Sequence, residues 1–127
     1  MITPEIVVDR SERGIAVLTL RGEHEGYTTP KLRGELSLLL DDGLDVIVDL
    51  REATFLDSTS VGVFLTGREE AQERGLAFVL LMNDSTGWSV RRLFEITGLA
   101  SVLPVASTRE EALAAARDQH AATAPQS

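Results

Sequence analysis

Apolar and polar positions along the chain switch between two periods, and the switches mark out its elements. Val46, Ile47, Val48 and Leu50 form a short, mostly β-branched apolar run. That pattern suits a strand covered on both faces. Asp57, Ser58, Thr59 and Ser60 follow, and Val61, Phe64 and Leu65 then recur at helical spacing. Each of the four polar side chains can cap free N–H groups at a helix start. The stretch Asp45 to Gly62 is therefore expected as strand, turn and helix. It presents a hydroxyl at a helix N-terminus just past the carboxyl end of a central strand, where open α/β sheets place their functional sites.

The same periodicities organise the rest of the chain. Glu5–Asp9 and Gly14–Leu20 read as two strands joined by the polar turn Arg10–Arg13, an antiparallel hairpin. Arg21–Tyr27 reads as a polar loop. Thr28 or Thr29 then caps a helix with Pro30 in its first turn and Leu32, Leu36, Leu39 and Leu40 on one side, stopped by Gly43. The second helix is expected from about Ser58 to Arg74, with Val61, Phe64, Leu65 and Ala71 inward and a Glu70–Arg74 pair on its surface. Phe55 and Leu56 are expected to pin the turn before it into the core, holding the hydroxyls outward. Leu76–Met82 is a strand, Trp88–Thr97 a third helix ended by Gly98, and Ser101–Val105 a last strand. A capping box at Ser107 and Glu110 opens a fourth helix. Trp88 is assigned to the core in preference to an exposed partner contact.

The order β-β-α-β-α-β-α-β-α predicts an α/β fold: a mostly parallel mixed sheet of four to five strands with four helices and right-handed crossovers. Residues 1–120 are expected as one domain and 121–127 as a flexible C-terminal tail. Several strands are apolar at both odd and even positions, so either helices cover both faces or something else covers one.

Composition narrows the function. A chain of 127 residues buries roughly two-thirds of its unfolded surface, enough for a real core. The absence of cysteine excludes disulfides and thiolate metal sites. The formal charge of −8 argues against a nucleic-acid backbone as partner, since that needs clustered Lys and Arg. It fits a protein partner bearing a basic surface, but taken alone it is better read as charge kept for solubility. MITPEIVVDRSER lacks the basic start and apolar core of a signal peptide, and no run approaches the roughly 20 apolar residues of a membrane span. A cytoplasmic protein is expected.

Four catalytic or ligand-binding chemistries fail on spacing. Ser58 sits at a strand–turn–helix junction, but a nucleophile elbow needs glycine where Leu56 and Ser60 stand. The only histidines, His24 and His120, are read as surface residues. Neither a G-x-x-x-x-G-K-[ST] nor a G-x-G-x-x-G loop occurs. A phosphoaccepting receiver domain needs a lysine after its last parallel strand, whereas the sole lysine is Lys31, and Asp49 is placed within its strand. Asp41, Asp42 and Asp45 crowd a turn without EF-hand spacing. No metal or cofactor is expected. What survives is Asp57-Ser58-Thr59-Ser60, where one cap needs one side chain and four candidates are lined up.

At these residues the chain resembles the STAS family, and more closely its single-domain members, the anti-sigma factor antagonists. The similarity runs from about Val17 to Leu113. It is carried by VIVDLREATFLDSTSVGVFL, RGLAFVLLMN and VRRLFEITGLASVLPVASTREEAL, and above all by the aspartate–serine pair at Asp57 and Ser58. The resemblance implies a non-enzymatic regulator of transcription and stress response. Such a protein binds an anti-sigma factor that is also a serine kinase, releases it when Ser58 is phosphorylated, and is reset by a serine phosphatase. Thr59 and Ser60 are alternative acceptors. The implied contact surface comprises Glu23, Glu25, Asp57, Ser58, Thr59, Ser60, Arg68 and Glu69. Two departures from the family pattern stand out: Ser60 replaces a glycine, and the family's Gly-Glu-Leu-Asp loop reads Gly22-Glu23-His24-Glu25. The runner-up reading is a non-switching scaffold subunit of a larger signalling assembly, and a small hydrolase is a distant third.

Overall fold

The fold is built on its longest strand, β2 (Ile15–His24), which pairs with three others. In the computed structural model, which describes residues 3–123, β1 (Glu5–Asp9) pairs antiparallel with β2 (Ile15–His24). Then follow α1 (Thr29–Asp41), β3 (Asp45–Asp49), β4 (Ala53–Leu56), α2 (Ser58–Glu73) and β5 (Phe78–Leu81). The chain continues through α3 (Trp88–Thr97), a 3₁₀ turn at Leu99–Ser101, β6 (Val105–Ala106) and α4 (Arg109–Thr123). The sheet runs β1-β2-β3-β5-β6, with β4 pairing to β2 off that path, and every pairing except β1–β2 is parallel. The α/β class and its mixed, mostly parallel sheet stand as expected, with one strand more.

Strand alternation splits the core in two. Ala16, Leu18, Leu20, Val46, Val48, Phe78 and Leu80 face one side and pack with Leu32, Leu36 and Leu39 of α1, Val63 and Phe64 of α2, and Val90 and Phe94 of α3. Ile15, Val17, Ile47, Val79 and Leu81 face the other side, where Ala112 and Ala116 bring α4 close. Helices thus lie on both faces, which explains the unbroken apolar run of β3, buried throughout. Gly67 lets α2 approach the sheet: a Cβ there would sit 3.1 Å from the Phe78 ring. Asp45 ties the lower ends together, its Oδ1 accepting from the Ala77 N–H at 2.8 Å and lying 3.0 Å from His120 Nδ1.

Several expectations are corrected. β2 does not stop at Leu20; it continues through Arg21–His24, so the first half of the expected loop is strand. This extension gives β4 its partner, with Glu23 opposite Phe55 and His24 opposite Leu56. The last strand is Val105–Ala106, because 99–101 wind into a 3₁₀ turn after the left-handed Gly98. On α2, Ser60, Val63 and Gly67 are buried with Phe64 and Ala71, while Val61 and Leu65 are half-buried. Arg74 reaches Asp41 of α1 rather than Glu70, an exposed pair of little energetic weight. The α4 cap moves by one residue: Thr108 Oγ1 accepts from the Glu111 N–H, and Glu111 returns to Ser107. Helix α4 also runs to Thr123, and residues 124–127 of the expected tail lie outside the described residues.

Candidate functional site

The parallel strands all point their carboxyl ends to one edge, so α1, α2, α3 and α4 all begin there. At the head of α2, Asp57 is the N-cap, in extended conformation. Its Oδ1 accepts from the Ser60 N–H at 3.0 Å, from Thr59 Oγ1 at 2.6 Å and from Ser60 Oγ at 3.2 Å. Burial alone would push this carboxyl up; the bonds from Thr59, Ser60 and the Gly26 backbone outweigh it and hold Asp57 below the usual carboxylate range.

The three hydroxyls after Asp57 have different fates. Ser58 is exposed, and its hydroxyl makes no hydrogen bond among the described residues. The backbone N–H groups of Ser58 and Thr59 are likewise unpaired among the described residues, as expected in a first helical turn. Thr59 is exposed but engaged, bonded to Asp57 and 3.0 Å from Thr29 Oγ1 at the start of α1. Ser60, expected at the surface, is fully buried, bonded to Asp57 and 3.3 Å from the His24 carbonyl. This corrects its place among the accessible hydroxyls. At the third helical position its side chain turns toward the core side of α2, alongside Val63 and Phe64.

The neighbouring residues sort in the same way. Glu23 and Glu25 are exposed at the tip of β2 and just beyond it. Glu69 lies eleven residues after Ser58, three helical turns along, on the same outward line of α2. Arg68 sits on the flank instead, lining a cleft of about 330 Å³ with Gln72, Leu76 and residues 100–104, away from the helix head. His24, read as a surface residue, is fully buried. Its Nε2 donates to the Arg21 carbonyl at 3.0 Å, and its Nδ1 faces Thr28 Oγ1 at 3.2 Å. Burial pulls this imidazole below its ordinary value, against the opposing effect of the Arg21 and Glu5 carbonyls, so it is neutral at pH 7. Phe55 is 37% exposed, whereas Leu56 alone pins the turn as expected.

Trp88 is 69% exposed, not core. The signal was in the spacing: Val90 and Phe94 are the buried residues of α3, and a residue two before Val90 lies about 200° round the helix from it. Ahead of Trp88, the Gly87 N–H donates to the Ala53 carbonyl at 2.9 Å, and Ser89 Oγ donates to the Thr54 carbonyl at 2.7 Å. The start of α3 is thereby fastened to β4, the strand that leads into Asp57. Further along the edge, Arg51 and the buried Asp49 form a two-pronged pair at 2.9 and 3.0 Å that holds the guanidinium above its usual range. Asp49 belongs to β3, as the sequence implied, and is its last residue.

Fold and site together define an α/β domain that offers one free serine hydroxyl, beside a capping aspartate, at the carboxyl edge of a mixed sheet. The chain belongs to the STAS domain family, whose model matches residues 7–112. It is 30% identical over 103 residues to the anti-sigma-B factor antagonist of Bacillus subtilis, covering 81% of this chain and 91% of that one. The anti-sigma-B factor antagonist of Listeria monocytogenes is 34% identical over 93 residues, 71% of this chain and 77% of that protein. Among solved structures, an anti-sigma factor antagonist from Mycobacterium paratuberculosis superposes with a TM-score of 0.78 at 25% identity, covering 91% and 96% of the two chains. The unphosphorylated form of the anti-sigma factor antagonist SpoIIAA superposes at 0.73 and 25% identity, covering 90% and 97%. No helix among the described residues is long and apolar enough to cross a membrane.

Proposed function

We propose that this protein is a cytoplasmic anti-sigma factor antagonist switched by phosphorylation of Ser58. Unmodified, it binds an anti-sigma factor with serine kinase activity; phosphorylated, it lets that partner go, and a serine phosphatase restores it. The observation that carries the reading is the Ser58 hydroxyl: exposed, unbonded, and heading α2, while its three polar neighbours are committed to holding the turn. The likeness to antagonists along most of the chain supports the choice of partner.

The physics of the switch follows from that placement. A phosphate adds about −1.5 to −2 charges. The free N–H groups of Ser58 and Thr59 and the α2 dipole accommodate it, so the fold survives. Next to the Asp57 carboxylate, and with Glu23 and Glu25 nearby, the modified edge becomes strongly acidic and bulkier. A partner packed over Ser58 then faces a buried, unpaired charge, which typically costs several kcal/mol.

The test is phosphate mapping. The protein is incubated with each anti-sigma-type serine kinase of the same genome and ATP, and the modified site is read by mass spectrometry. Phosphate is expected on Ser58, absent in Ser58→Ala, and never on the buried Ser60. Tight binding of such a kinase with no phosphate on Ser58 or Thr59 would instead favour a non-switching scaffold subunit.

A further inference from the structure

The chain contains one tryptophan and one tyrosine, and both stand in solvent on the edge that carries Ser58. Tyr27 is 72% exposed at the start of α1, and Trp88 is 69% exposed at the start of α3. Between them lie the head of α2 and β4, with the half-open Phe55 two residues before Asp57. These positions are linked by short bonds: Thr29 to Thr59 on one side, Ser89 and Gly87 to β4 on the other. The aromatics therefore bracket the hydroxyl on a rigid rim. An exposed indole contributes nothing to the core, and Trp and Tyr are the side chains most enriched at binding hot spots.

We propose that Trp88 is the main apolar anchor for the protein that phosphorylates Ser58, its indole entering an apolar pocket rimmed by Arg and Lys on that partner. This rests on the functional reading above and names the chemistry of its partner's docking face. The basic rim follows from charge complementarity, since Glu23, Glu25 and Asp57 lie on the same edge as the aromatics. Ser58 lies between the aromatics, so its phosphate would meet the apolar part of the docking face rather than its basic rim. Water is excluded there when the partner docks, so the added charge acts at its greatest strength.

Because Trp88 is the sole tryptophan of the 127 residues, this chain labelled with 5-fluorotryptophan gives one ¹⁹F resonance that reports that side chain alone. It is titrated with the kinase that modifies Ser58 in the mapping experiment, in the presence of ADP. The resonance should shift in the complex and return to the free position once Ser58 carries phosphate. Trp88→Ala should raise Kd about 30-fold, and the wild-type Kd should rise with added salt. Its thermal midpoint should match wild type, since the indole is exposed; Trp88→Tyr, which keeps a flat aromatic surface, should recover part of the affinity. A rise in Kd of less than tenfold, or a resonance unmoved at saturation, overturns the anchor while leaving the Ser58 reading intact. A wild-type protein that neither binds nor is phosphorylated by any of the kinases overturns both.

Discussion

Replacing Gly87 by alanine tests how the start of α3 is held against β4. Gly87 has φ −53° and ψ 141°, a conformation open to any residue, so backbone strain gives no reason for glycine here. The reason is contact. A Cβ at this position would lie 2.7 Å from Thr54 Cα, 2.9 Å from the Ala53 oxygen and 3.0 Å from the Thr54 oxygen. All three are backbone atoms that cannot rotate away. Carbon atoms in contact sit about 3.5–4.0 Å apart, so α3 must retreat by about 1 Å. That movement breaks the 2.9 Å bond from the Gly87 N–H to Ala53, at about 0.5–1.5 kcal/mol. Overpacking adds about 1–3 kcal/mol. The smaller entropy of an unfolded alanine returns roughly 0.4–1 kcal/mol. The net loss is about 2 kcal/mol, a fall of about 1 M in the urea midpoint at a slope near 2 kcal/mol/M. Gly34→Ala in α1, where an added Cβ meets nothing within 4 Å, is the control and should raise stability by about 0.5–1 kcal/mol. A Gly87→Ala protein that unfolds at or above the wild-type midpoint would refute the account of this junction.

Asp57→Ala should cost about 1 kcal/mol through loss of the α2 cap, seen as a thermal midpoint lower by a few degrees. Because the Asp57 pKa is depressed on folding, that advantage is present above the ordinary carboxylate value and shrinks as pH falls through it toward the folded one; a gap between wild type and variant that persists unchanged at pH 2 would contradict this. His24 gives a second pH signature. Its folded pKa lies below the ordinary 6.5, so the unfolded chain binds more protons as that value is approached from above, and stability is full above it and falls as pH drops. His24→Leu should remove this slope from urea midpoints measured between pH 7 and 5.5, and parallel profiles for the two proteins would be the contrary result.

What could be read in the sequence was whatever local pattern alone decides. The buried run of β3 and the capped start of α2 depend on neighbours within a few residues, and both appear in the structure where the sequence places them. The tip of β2 and the whole of β4 escaped because their signal is long-range. Gly22 and His24 are buried and alternate with the more exposed Arg21 and Glu23, but a glycine and a histidine do not read as core. Ala53–Leu56 is four residues long, and its pairing partner lies some thirty residues earlier in the chain. Ser60 and His24 were misplaced for a related reason. Each is a polar group buried because a specific acceptor meets it, and periodicity carries no information about acceptors. Trp88 is different: its outward position is legible from the Val90–Phe94 spacing, against the tendency of a large indole to be buried.

The strand that delivers Ser58 is laddered only to the last few residues of β2, outside the five-strand run β1-β2-β3-β5-β6. Under the switching proposed above, a partner gripping this platform would load β4's own short pairing and its bonds to α3 before it reached that ladder. The proposed cycle of gripping, altering and releasing would in this way fall on the rim and spare the foundation.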